Sequence, residues 1–234
     1  MKIKGIILLL IFASIFIKCK KNVEKNNGTA LNISKVMPNA GALKIACIGN
    51  SITEGSGIKD RKNNSYPAQL QKILGVDYHV RNFGVSGRTL LRKGDFPYWN
   101  EPTFQESKDF QPDVVVIKLG TNDTKPQNWE YADEFVKDYQ VFIDEFQALD
   151  SKPIIYLCYP VPAFAVRWGI NNDIITKEVM PKIDEVAASK ELEIIDLYMV
   201  LEGKGEYFPD DIHPNEKGAK IIAETIAEIF NKKK

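Results

Sequence analysis

The chain has 234 residues, 44% of them hydrophobic and 26% charged, with 31 basic and 31 acidic side chains. This composition fits one folded domain with a sizeable core and excludes a low-complexity or disordered chain. No basic surplus, C2H2 spacing or basic heptad region points to nucleic acid. No Cys/His cluster has metal-ligand spacing, so no metal is expected.

In chain order, Lys2 and Lys4 precede the apolar stretch Gly5–Ile17, which has signal-peptide length and is short for a membrane-spanning helix. Cys19 and a polar run rich in Lys and Asn follow. This arrangement is similar to a bacterial lipoprotein signal, although Lys18 stands where such signals usually carry a small residue. The expectation is a signal peptide over 1–18, lipidation at Cys19, a tether over 19–40 and a folded domain over 41–234. The protein would then be exported to the periplasm or cell surface, touching membrane only through its anchor. Without residues 1–18 the charge balance is 28 basic to 31 acidic side chains. Cys47 and Cys158 lie in apolar runs, where a small buried thiol is common.

From residue 43 onward, strand and helix signals alternate. The apolar runs Leu43–Ile48, Tyr78–Asn82, Val114–Leu119, Ile154–Cys158 and Glu193–Leu197 read as strands. Helical patterns fall at about Tyr66–Leu74, Tyr131–Leu149, Asp173–Lys190 and Asn215–Asn231, the last with Asn215 as its cap. This order predicts an α/β fold, a three-layer α/β/α sandwich around a parallel five-stranded sheet. Ligands of such sheets bind at the carboxyl ends of the strands. Ser51, Gly84 and Asn122 each fall just past a predicted strand and are expected to meet at that edge.

A serine hydroxyl needs a base to become a nucleophile. The chain offers two histidines: His79 inside a strand run, and His213 in Asp210-Asp211-Ile212-His213-Pro214. A carboxylate at Asp210 could orient the imidazole; Asp211 is a rival, but the three-residue spacing favours Asp210. Asn122 in Gly120-Thr121-Asn122-Asp123 could donate its amide to an oxyanion, and Gly84 could offer a backbone N–H. Each segment alone also reads as an ordinary turn or cap.

Taken together, Gly49-Asn50-Ser51, Gly84, Gly120-Thr121-Asn122-Asp123 and Asp210-x-x-His213 resemble the characteristic blocks of the SGNH hydrolases, the GDSL esterase/lipase family. Asn50 departs from the aspartate usual there. The resemblance spans about residues 43–229 and implies a flavodoxin-like fold. It implies Ser51 as nucleophile, His213 as general base and Asp210 as its partner, with an oxyanion hole of Ser51 N–H, Gly84 N–H and the Asn122 amide. Ester hydrolysis through an acyl-serine, with no cofactor, follows from it.

The long connection Val85–Pro112 and the stretch Tyr159–Asn172 carry aromatic and arginine side chains suited to sugar rings. Arg88, Trp99 and Trp168 are the candidate substrate contacts, and packing of these loops on the domain is the competing reading. The overall pattern is similar to exported bacterial carbohydrate O-acetylesterases. The expected substrate is a small-molecule or glycan ester. Lysophospholipase, broad acyl-esterase or thioesterase activity is the alternative, followed by a glycan-binding module without catalysis.

Overall fold

The computed structural model describes residues 37–231. The expected leader, Cys19 and residues 19–36 of the expected tether lie outside that range. Asn39, within the expected tether, is docked: its N–H donates to Val76 O at 2.7 Å and its amide to Asp77 Oδ1 at 3.0 Å.

Among the described residues, five strands form one parallel sheet: β1 (Leu43–Gly49), β2 (Tyr78–Gly84), β3 (Val114–Lys118), β4 (Ile154–Cys158) and β5 (Glu193–Ile195). Their spatial order, β2-β1-β3-β4-β5, is the flavodoxin-like one. The apolar runs form strands because alternate side chains enter two different cores. Ile45 and Cys47 face one side with Val116, Tyr156 and Cys158, while Ala46 and Ile48 face the other with Val115, Ile117 and Leu157.

Helices cover both faces. The helix Glu216–Asn231 presents Ala219, Ile222, Ala223, Ile226 and Ala227 to the first core, one stripe at helical spacing, alongside Leu70 of the helix Tyr66–Leu74. On the second face lie the helices Phe135–Gln147 and Met180–Lys190, with Phe142, Phe146, Ile183 and Val186 buried. Asn215 caps the last helix as expected: its Oδ1 accepts from Lys217 N at 2.9 Å and Gly218 N at 3.1 Å.

The structure differs from the sequence reading at three places. The helix Pro102–Asp109 lies inside the connection read as a long loop; with only Phe104 and Ser107 buried along it, it lacks an apolar stripe to reveal it. The pattern over 173–190 is interrupted by a π turn, Ile175–Val179, where Met180 N–H donates to Ile175 O. Pro181 follows and has no N–H, which removes one α-helical bond at that junction. Finally, β2 runs on to Gly84, which pairs with Gly49 instead of lying beyond the strand.

Cys47 and Cys158 are free and buried. Burial pushes the Cys158 thiol up to about 12 and the ammonium of the fully buried Lys118 down to about 8.

Gly84 also sets where the serine stands. A Cβ built there would lie 2.1 Å from Glu54 N, in the backbone of the short helix Ser51–Glu54. Gly84→Ala is therefore expected to destabilise the fold by about 1–3 kcal/mol. In a thermal melt this is a fall of several degrees in Tm, and an unchanged Tm would show that the helix can yield.

Candidate functional site

At the carboxyl end of β1 the chain turns through Asn50 into the helix Ser51–Glu54. Asn50 is fully buried, and its Oδ1 accepts from Ile52 N at 3.1 Å. That is the capping bond an aspartate would make, so the amide preserves the turn. The cap puts Ser51 at the first helical position, only 6% exposed.

His213 arrives from the loop before the last helix. Its Nε2 lies 2.8 Å from Ser51 Oγ and its Nδ1 lies 2.8 Å from Asp210 Oδ2. Asp210 Oδ1 accepts from the backbone N–H of His213 at 2.7 Å and of Ile212 at 3.1 Å. Partial burial pushes the Asp210 carboxyl up, but the N–H donors and the imidazole of His213 outweigh it and hold the group below its usual range. The three-residue spacing works because the loop closes on the carboxylate. Asp211, the rival, points elsewhere: its Oδ2 accepts from Arg167 Nε at 3.1 Å. His79 lies on β2, edge-to-face with Phe110 at 5.1 Å, far along the strand from Ser51.

The third segment leaves β3. Asn122 is 4% exposed, and its Nδ2 donates to Arg88 O at 3.1 Å, which leaves one amide hydrogen for another acceptor. Ser51, His213 and Asp210 are joined by hydrogen bonds, and β3, the neighbour of β1, delivers Asn122 to the same sheet edge.

Gly84 does not serve as expected. Its N–H donates to Asn82 Oδ1 at 2.8 Å, and its Cα side is packed on the Ser51 helix. The glycine the sequence reading missed is Gly87, three residues on and next to Arg88. It has φ +80, a built Cβ would meet nothing within 4 Å, and its N–H finds no acceptor among the described residues. Carrying the strand pattern two residues further would have exposed it.

The three candidate substrate contacts separate. Arg88 is held within its own loop: Nε and Nη2 pair with Glu101 Oε1 at 2.7 Å each, and Nη1 donates to Ser86 O at 2.7 Å. Trp99 is a packing residue, its indole N–H on Leu90 O at 2.7 Å and its ring 5.0 Å from Phe142, beneath the Arg92 guanidinium at 3.8 Å. Only Trp168 stands at the site, 61% exposed with its ring 5.6 Å from that of His213.

Beneath Asn122, Asp123 is fully buried, and its Oδ1 accepts from Leu91 N at 2.8 Å. Burial pushes its carboxyl up to about 6 from 3.8, and the neighbouring backbone N–H groups offset this only in part. The folded state then binds more protons than the unfolded chain between those values, so this group makes stability fall as pH rises through that window. Asp123→Asn removes the titration and keeps an acceptor for Leu91. Its Tm relative to wild type is expected to rise from pH 4 to pH 7; a constant difference would contradict the raised value.

The model of the GDSL-like lipase/acylhydrolase family matches residues 47–221. The chain is 50% identical over 208 residues to an acetylxylan esterase from Xylanibacter ruminicola, a match covering 81% of this chain and 43% of that protein. It therefore spans less than half the length of that curated relative. Among solved structures it resembles the inhibitor-bound aryl esterase of M. smegmatis, with TM-score 0.68 and 20% identity, covering 82% of this chain and 99% of the other. It also resembles a carbohydrate acetylesterase from Sinorhizobium meliloti, with TM-score 0.66 and 18% identity, covering 81% and 99%. These two likenesses concern the fold. The family match begins within β1 and ends beyond His213, spanning every segment that meets at the site, and the chain belongs to the GDSL-like lipase/acylhydrolase family.

Proposed function

We propose that this domain is a serine esterase that removes O-acetyl groups from carbohydrate, with acetylated xylan as the first candidate. The observation that carries the chemistry is the unbroken chain Asp210–His213–Ser51, with both links at 2.8 Å. The 50% identity to an acetylxylan esterase supports the substrate class.

In this reading His213 Nε2 takes the Ser51 proton as Oγ attacks the ester carbonyl. Asp210 holds the ring and stabilises the imidazolium. The oxyanion accepts from Ser51 N–H, from Gly87 N–H in place of Gly84, and from the remaining amide hydrogen of Asn122. Collapse breaks the ester C–O bond, and His213 returns the proton to the departing sugar hydroxyl. Water, deprotonated by His213, then attacks the acetyl-serine; collapse frees acetate and restores the Ser51 hydroxyl. The exposed face of Trp168 beside His213 suits a sugar ring. The salt bridge of Arg167 to Asp211, at 3.1 Å, ties the Trp168 loop to the His213 loop. The leader supports a further inference, that the protein is exported and anchored by lipid on Cys19.

Ser51→Ala is expected to lower turnover by about 10⁴–10⁶ without loss of fold. Asp210→Asn is expected to cost about 10⁴, whereas Asp211→Asn removes an exposed ion pair and is expected to change turnover by no more than about threefold. The reverse order would overturn the acid assignment. Acetate release from acetylated xylan, pectin, sialosides and simple sugars, by wild type and Ser51→Ala side by side, tests the substrate. Release by wild type alone supports the reading. Failure on every glycan, with nitrophenyl octanoate cleaved faster than the acetate, would move the enzyme to lipid-like esters.

A further inference from the structure

The fold holds Asn122 through its neighbours, and one of them is the buried amide of Asn128. Asn128 lies in the short helix Pro126–Trp129 and has no exposed surface. Its Nδ2 donates to Asn122 O at 2.9 Å and to Asp95 Oδ1 at 3.0 Å, and its Oδ1 accepts from Asp95 N at 2.7 Å. Both amide hydrogens and the carbonyl oxygen are engaged. Asp95 belongs to the loop that carries Gly87 and Arg88, and its other oxygen accepts from Gln127 Nε2 at 3.0 Å. On its far side, Asn122 Nδ2 reaches Arg88 O in the same loop. Asn128 therefore joins two segments that meet at the oxyanion site, the one bearing Asn122 and the one bearing Gly87.

We propose that Asn128 is a positioning residue for the oxyanion site, acting through the main-chain carbonyl of Asn122 and never touching substrate. The proposal rests on the reading of Asn122 as an oxyanion donor. The physical reason is directional. A side-chain amide stabilises a developing charge only if its hydrogen already points at that charge, and misplacement by about 1 Å can cost on the order of 10²-fold. Asn122 follows β3 in a single 3-10 turn, Asn122–Thr124. Its carbonyl accepts from Asn128 in addition to a long bond from Lys125 N at 3.3 Å. Removing the Asn128 amide leaves the orientation of that peptide to the weaker bond. It also leaves the part-buried Asp95 N–H without its acceptor.

The test is a double-mutant cycle on nitrophenyl acetate. Asn128→Ala is expected to lower kcat about 10–50-fold, change KM less than about threefold, and leave the acid limb of the kcat–pH profile where it was. Asn122→Ala is expected to lower kcat by about 10²–10³. If Asn128 acts through Asn122, the double variant retains a kcat within about threefold of Asn122→Ala alone. Losses that multiply, or a kcat for Asn128→Ala within twofold of wild type, overturn the proposal. A near-normal Asn122→Ala overturns the oxyanion reading itself, and with it this proposal. Should Asn128→Ala fail to fold, Asn128→Asp keeps the volume and an acceptor for Asp95 N–H but removes the donor to Asn122. The same cycle then applies, and a normal kcat for Asn128→Asp counts against the proposal.

Discussion

The hydrogen bond between His213 Nε2 and Ser51 Oγ joins residues 162 positions apart, and the rest of the architecture serves to place those two atoms 2.8 Å from each other. Neither residue carries reactivity alone: the serine needs a base and the imidazole needs an orienting anion. The parallel sheet solves the serine half, because β1 is held between β2 and β3 and its carboxyl end delivers the chain into a capped helical turn. The last helix solves the other half. Its apolar stripe is locked into the first core, so the loop ahead of it has a fixed starting point. The carboxylate of Asp210 then folds that loop around itself with two backbone bonds before it meets the ring.

The opposite wall is built by a different device. The connection after β2 is long, and ahead of its helix it is held by buried and part-buried polar bonds. Asp123 takes Leu91 N–H, Asp138 takes Arg92 N–H at 2.8 Å, and Asn128 and Asp95 clasp each other. An unpaired buried polar group costs about 1–3 kcal/mol, so such bonds define one arrangement more sharply than apolar packing would. The aromatic side chains of this connection add bulk beneath it. Tyr98, Trp99, Phe104 and Phe142 pack edge-to-face and stacked, and Tyr98 also donates to Phe83 O at 2.5 Å. The loop thus presents Gly87 and Arg88 O on a rigid base.

This wall explains why the aromatic and arginine residues that suggested sugar binding mostly do something else. Trp99 and Arg88 have partners within the connection itself, and long side chains in a loop satisfy nearby carbonyls and carboxylates before they reach a ligand. Trp168 differs because its loop is pinned at Arg167 and packed at Gly169 against Pro126, and its exposed indole lies beside the ring of His213.

The sequence by itself determined the layered fold, because uninterrupted apolar runs alternating with helical stripes allow few other packings. It also singled out Ser51, Asn122 and His213 as candidates, since so few nucleophile, amide and base residues sit at strand ends. It favoured Asp210 over Asp211 on spacing alone, without the physical reason for the choice. That choice depends on a loop in which Asp211 takes φ +69 and turns its carboxylate to Arg167. The sequence also put the oxyanion glycine at Gly84, which it read as lying past the end of β2. Strand ends are set by pairing with a neighbour, and only the pairing of Gly84 with Gly49 shows that β2 continues and that Gly84 is filled by the serine helix. The bonds made by Asn128 and Asp123 were hidden for a related reason. A buried hydrogen bond between distant segments has no period and no spacing, so tertiary structure alone reveals which amide holds which carbonyl.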